Sequence, residues 1–224
     1  MNHLILLGDS ILDNAAYTEG GPAVITHVQE QIPKDWQATL LAIDGSTTEH
    51  IADQIREVPP SASHLLLSVG GNNALLRVEV LETPVKSSSE ALVLLSEVVR
   101  EFEASYRKTL KECLSLNLPL VVCTIYHGNF PDQSYQRRVI VALALFNDVI
   151  IRVATENRLT VIDLRSFALD QKTTQIPLNR LRPAGRRSLK LSSGQSRSHN
   201  SPCAERASLL PNHSFKRTCL RQAA

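Results

Sequence analysis

Residues 3–7 (HLILL), 38–43 (ATLLAI), 64–69 (HLLLSV), 119–125 (PLVVCTI) and 159–162 (LTVI) are near-continuous apolar runs too short to be helices. They read as strands buried on both faces, because a strand with one wet face would alternate polar and apolar residues. Several end in turn residues: Gly8-Asp9-Ser10, Asp44-Gly45, Gly70-Gly71-Asn72-Asn73 and Asp163. Helical periodicity lies between them. Val24, Ile25 and Val28 mark a helix over 22–31, and Ile51 and Ile55 one over 48–58. Leu92, Leu95, Val98, Val99 and Phe102 mark a helix over 89–116, and Val139, Leu143, Phe146, Ile150 and Val153 one over 136–156. Alternating strand and helix predict an α/β domain: a three-layer α/β/α arrangement around a five-stranded parallel sheet.

The core such a fold needs is available, since 43% of residues are hydrophobic. With only 4% aromatics, that core is mainly aliphatic. No apolar run approaches the ~20 residues that span a bilayer, so no membrane partner is expected. Met1–Leu7 lacks the basic region and cleavage site of a signal peptide, which makes the cytoplasm the expected compartment. Cys113, Cys123, Cys203 and Cys219 form no CxxC pair. Cys113 and Cys123 read as small buried hydrophobes. No metal-ligand spacing is present, and the glycine loops lack both the P-loop lysine and a full GxGxxG, so no cofactor is expected.

In parallel sheets, ligands bind outside the carboxyl ends of the strands. The loops at 8–14, 44–47, 70–77 and 126–131 are therefore expected on one edge. Ser10 follows the first strand directly. There its hydroxyl can serve as a nucleophile and its backbone N–H as an oxyanion donor, or the residue can simply cap a helix. Gly45 lets backbone N–H groups approach a ligand closely. The Asn72 amide can donate to an oxyanion, although Gly-Gly-Asn is also an ordinary turn.

These three blocks, in this order, resemble the SGNH (GDSL-type) hydrolases: Gly8-Asp9-Ser10, then Gly45, then Gly70-Gly71-Asn72. The resemblance covers roughly residues 3–165. It implies the flavodoxin-like SGNH hydrolase fold and cleavage of small-molecule esters. It also implies that Ser10 is the nucleophile and that the N–H groups of Ser10 and Gly45, with the Asn72 amide, stabilise the oxyanion. At Asn73 the family has aspartate, a carboxylate that holds its loops. The family's fourth block, Asp-x-x-His, which supplies the general base and its orienting carboxylate, is missing; neither His199 nor His213 has aspartate three residues before it.

Residues 166–224 differ in character. They hold 11 Lys+Arg against 2 Asp+Glu and nine serines, whereas residues 1–165 hold 13 Lys+Arg against 20 Asp+Glu. One reading is a disordered basic extension with affinity for acidic surfaces or nucleic acid. A sharper reading is a frameshift near Arg165–Ser166. The same nucleotides in another frame are compatible with an ending that contains P-E-D and N-P-I-E-P, then a glycine turn and an amphipathic helix. Residues 1–165 are then the hydrolase domain, lacking its final helix, and 166–224 are a non-native tail. On that reading nucleic acid is not a partner.

Without the fourth block, the base must come from elsewhere. His127, in Tyr126-His127-Gly128-Asn129-Phe130, is the histidine of residues 1–165 that falls in a loop after a strand. Its ordinary pKa of ~6.5 suits proton transfer, although a solvated loop histidine would look the same. Asp13 either reaches the same pocket or sits as a helix N-terminal carboxylate. Two functions remain open: a serine ester hydrolase with impaired or no activity, or a non-catalytic small-ligand-binding domain that keeps the pocket and lacks the base.

Overall fold

The computed structural model describes residues 1–18 and 20–166. The tail from 167 onward, with Cys203, Cys219, His199, His213 and the expectation of disorder, lies outside the described residues.

Five strands, β1 (Asn2–Gly8), β2 (Trp36–Leu40), β3 (His64–Ser68), β4 (Leu120–Cys123) and β5 (Thr160–Ile162), form one sheet in the order β2-β1-β3-β4-β5. All four pairings are parallel. The predicted α/β/α class therefore holds. This strand order places a topological switch point between β1 and β3, where an open sheet offers a crevice to ligands.

The apolar runs are continuous because each strand feeds two cores. In β1, Leu4 and Leu6 join one cluster with Val24 and Val28 of α1 (Val24–Gln31). Ile5 and Leu7 join the other, with Ile51 of α2 (Ile51–Arg56), Phe102 and Leu110 of α4 (Ser88–Ser115) and Ile150 of α5 (Gln133–Glu156). Leu4 through Leu7 are all fully buried. Cys113 and Cys123 are buried members of these cores.

Most element ends shift by a few residues from the sequence reading, and three differences have a clear cause or consequence. β2 ends at Leu40, not Ile43. Leu41 N–H and Ala42 N–H both donate to the Leu6 carbonyl, so the chain bulges off the ladder and Ile43 stands exposed. α5 begins three residues before the predicted 136, because Asp132 caps it by accepting from Ser134 N–H (2.8 Å) and Tyr135 N–H (3.1 Å). Residues 70–77, expected as loop, contain the short helix α3 (Gly71–Leu75). Five residues are too few to show a periodicity.

α4 and α5 run side by side. Glu103 receives Arg107 and Arg152, and Arg107 also pairs with Glu156. Among the described residues no helix is long and apolar enough to cross a membrane.

Candidate active site

The site begins at the end of β1. Gly8 has φ +144°, and a Cβ there would stand 1.9 Å from the Ser68 carbonyl oxygen, so only glycine fits. Its peptide is held at both ends by one side chain. Gly8 N–H donates to Gln54 Oε1, and Gln54 Nε2 donates to the Gly8 carbonyl, each at 2.8 Å. Asp9 is buried directly beyond, with Oδ1 accepting from Ile11 N–H at 3.2 Å. Burial pushes its carboxyl up to about 7; the Ile11 N–H bond pulls against this and the nearby Asp44 charge adds to it.

Ser10 follows, half-buried. Ser10, Gly45 and Asn72, which come from the loops after β1, β2 and β3, line one cavity of about 260 Å³ together with Asp9, Asp44 and His127. Gly45 adopts φ +81°. Asn72 Nδ2 donates to the Ser46 carbonyl at 2.9 Å, which ties the third loop to the second. Among the described residues, neither Ser10 N–H nor Gly45 N–H is taken up by a protein acceptor. A primary amide carries two N–H groups, so Asn72 keeps one beyond its bond to Ser46.

Asn73, where the resemblance leads one to expect aspartate, holds its loop without a carboxylate. Thr48 N–H donates to Asn73 Oδ1 (3.1 Å), while Asn73 Nδ2 donates to Thr48 Oγ1 (2.8 Å) and Glu49 Oε2 (3.4 Å). An aspartate here would face the Glu49 carboxylate as a like charge. Glu49 itself is pushed up by burial and pulled down further by hydrogen bonds with Thr47, its own backbone, Thr48 and Asn73, for a net fall.

His127 lines the same cavity as Ser10, but no hydrogen bond joins them. Burial and the Arg165 charge hold its imidazole below the usual histidine range against the opposing pull of Asp163. It is thus neutral near pH 7 and able to accept a proton. Asp13 is engaged elsewhere: its Oδ2 accepts from Asp44 N–H at 2.9 Å, and it does not line the cavity. His3, His27, His50 and His64 also stand outside the lining. Among the described residues no group of His, Cys, Asp and Glu could hold a metal ion.

Several residues that hold the site carry no catalytic signature. Besides Gln54, the fully buried Asn147 exchanges two bonds with Ile125 at the end of β4, accepting from its N–H (2.7 Å) and donating to its carbonyl (2.8 Å). Gln136 accepts from Phe130 N–H (2.7 Å) and donates to the Gly128 carbonyl (3.2 Å), which fixes the His127 loop. The signal available in the sequence was a lone amide inside an apolar helical stripe, as at Phe146-Asn147-Asp148-Val149.

A family model for GDSL-like lipases and acylhydrolases matches residues 6–181. The chain belongs to that family. The match begins within β1 and runs past Arg165 into the basic segment. Among solved structures, this GDSL-like protein is similar to phospholipase A1 from Streptomyces albidoflavus, at 13% identity over 86% of this chain and 92% of that one, TM-score 0.59. It is similar to an extracellular lipase from Streptomyces rimosus at 14% identity, over 75% and 82% of the two chains, TM-score 0.57. An acetyl xylan esterase aligns at 21% identity, over 73% and 78%, TM-score 0.52. These likenesses establish a shared fold. No curated protein sequence matches the GDSL-like chain.

Proposed function

We propose that this chain is a serine ester hydrolase in which Ser10 is the nucleophile, and in which Ser10 N–H, Gly45 N–H and the Asn72 amide receive the oxyanion. The supporting observation is that three loops, following three strands, bring these residues to one cavity where, among the described residues, both backbone N–H groups are without a protein acceptor. Ser10 Oγ attacks the ester carbonyl carbon, and its proton passes to a base. Negative charge develops on the carbonyl oxygen, where aligned donors typically contribute ~10²–10³ each in rate. The tetrahedral intermediate expels the alcohol, which takes up the proton. Water then attacks the acyl-enzyme through a second such intermediate and frees the acid and Ser10.

His127 is the base in this reading, reaching the serine proton through a bound water or a small shift of its loop. With no imidazole bonded to Ser10 among the described residues, turnover of p-nitrophenyl acetate is feeble, drawing on the ~10³–10⁴-fold over water that oxyanion donors and binding supply alone. The same missing bond favours a second reading, a binding domain without chemistry. A fluorophosphonate probe separates them. Labelling of the full chain that disappears in Ser10→Ala supports the hydrolase. Labelling that persists in Ser10→Ala removes Ser10 from the role, and none in either chain leaves the binding domain.

The hydrolase domain is taken as residues 1–165, with 166–224 read in the wrong frame. Resequencing the locus across Arg165–Ser166 tests this; one intact frame encoding the tail overturns it.

A further inference from the structure

Asp9 precedes Ser10 and lines the same cavity, yet none of the steps assigned to Ser10 and His127 uses it. It is 3% exposed, and its two oxygens have different surroundings. Oδ1 accepts from Ile11 N–H at 3.2 Å. Oδ2 has no hydrogen-bond partner among the described residues, and it stands against the third loop, where a Cβ on Gly71 would lie 3.8 Å from it. Gly71 adjoins Asn72, the side-chain donor of the site. A protonated carboxyl holds its hydrogen on one oxygen and can accept through the other. With Oδ1 accepting from Ile11 N–H, the hydrogen belongs on Oδ2. The groups that face Asp9 are acidic or neutral. They are Asp44 of the second loop, Tyr126 of the loop after β4, and Tyr17, whose hydroxyl donates to Asp44 Oδ2 at 2.5 Å. Arg77, the guanidinium of the cavity lining, is paired with Glu101 and Glu79. Burial, with the Asp44 charge, therefore keeps Asp9 protonated up to about 7.

We propose that Asp9, in its protonated form, is a fourth oxyanion donor, its Oδ2–H joining Ser10 N–H, Gly45 N–H and the Asn72 amide on the substrate's carbonyl oxygen. The role rests on the Ser10 reading. As the bond from Ser10 Oγ to the carbonyl carbon forms, the carbonyl π pair moves onto oxygen and the serine proton leaves for the base. The Asp9 proton stays on Oδ2, and its hydrogen bond strengthens as charge develops. When the intermediate collapses, the pair returns to the carbonyl and the alcohol departs with the proton that Ser10 gave up. A carboxyl kept neutral in a buried site is a suitable donor for this purpose. Ionised Asp9 has the opposite effect: the donor is lost, and a second negative charge stands beside the oxyanion.

The rate of fluorophosphonate labelling against pH tests this on the full chain, because the same donors receive the phosphoryl oxygen. The wild-type rate falls as pH rises through about 7, toward a floor ~10²–10³ lower, the loss typical of one missing donor. Asp9→Asn keeps an oxygen for Ile11 N–H and places an N–H where Oδ2 was. Its falling limb disappears, and it labels faster than wild type at pH 8.5. Asp9→Ala labels about 10²-fold slower than wild type at pH 6 and also lacks the falling limb. A merely structural Asp9 would change melting temperatures and leave the pH profile as it is. Infrared difference spectra between wild type and Asp9→Asn read the donor without turnover: a protonated carboxyl is present at pH 6 and gone at pH 9. Three results overturn the Asp9 donor alone: Ser10-dependent labelling that stays level or rises from pH 7 to 8.5, a falling limb that survives in Asp9→Asn, or no protonated carboxyl at pH 6. Labelling that is absent from every chain, or that persists in Ser10→Ala, removes the Ser10 reading and the fourth donor with it.

Discussion

Gln54 and Gly8, 46 positions apart, exchange two hydrogen bonds of 2.8 Å in the buried interior. The clamp stands two residues before Ser10, where β1 must stop and the chain must turn. Gln54 also donates to Ser46 Oγ at 3.2 Å, so one amide of α2 braces both the first and the second loop. Gln54→Leu leaves the Gly8 N–H buried without an acceptor, at a cost of about 1–3 kcal/mol. Thermal unfolding of the variant should show that loss. Its fluorophosphonate labelling should slow about tenfold or more, because the Ser10 loop is no longer fixed. Wild-type labelling in a folded variant would show that the clamp does not position Ser10.

Asp9 gives the protein a stability that depends on pH around neutrality. Its carboxyl rises from 3.8 to about 7 on folding, so between those values the folded state holds a proton that the unfolded state has released. Stability therefore falls as pH rises from about 4 to 7 and then levels. Asp9→Asn keeps an acceptor for Ile11 N–H and removes the charge. The variant should melt higher than wild type at pH 8 and close to it at pH 4, with a difference on the order of a few kcal/mol. Equal melting shifts at both pH values would contradict this account of Asp9.

His127→Ala tests the base. The imidazole is held below its ordinary 6.5, so it is neutral and able to accept a proton at neutral pH. Esterase activity that depends on it should fall as pH drops through a value below 6.5. In His127→Ala that inflection should vanish along with the activity, while the melting temperature changes little because the ring makes no hydrogen bond among the described residues. An unchanged pH profile with full activity would assign the proton transfer to another group.

Glu103 tests the bridge between α4 and α5. Arg152 and then Arg107 pull its carboxyl from 4.5 to about 2. Its stabilising contribution is thus complete above about 4.5 and lost as pH falls through about 2. Both arginines are substantially exposed, so water screens the pair and the contribution is about 1 kcal/mol at most. Glu103→Gln should lower the melting temperature by about 2–4 °C at pH 7, by less in 1 M salt, and by a shrinking amount as pH falls through about 2. A shift that persists in acid would mean that packing, not charge, is lost.

The sequence by itself determined the layers of this protein. Runs such as His3-Leu4-Ile5-Leu6-Leu7 have no polar side to turn to water, so they must lie in a sheet covered on both faces. The helices between them carry one apolar stripe each, which parallel crossovers require. That Ser10, Gly45 and Asn72 meet at one cavity was legible for a related reason: each stands just beyond such a run, and a parallel sheet gathers those ends on one edge. The local endings were less legible. Asp132 moved the start of α5 because a single cap outweighs a periodicity, and the bulge at Leu41–Ala42 depends on the Leu6 carbonyl, far away in the chain.

The tertiary structure alone decided what braces the site and what shape it takes. Gln54, Asn147 and Gln136 look like ordinary amides in the sequence, because their importance lies in unpaired backbone groups that only the folded chain brings within 2.7–3.2 Å. Asn73 holds its loop because Glu49 and Thr48 stand opposite it, a pairing set by packing and not by spacing. The apolar part of the cavity wall, too, arises from three elements that are remote in sequence. Each one's inward residues read as plain core, and only the fold lines a cavity with them.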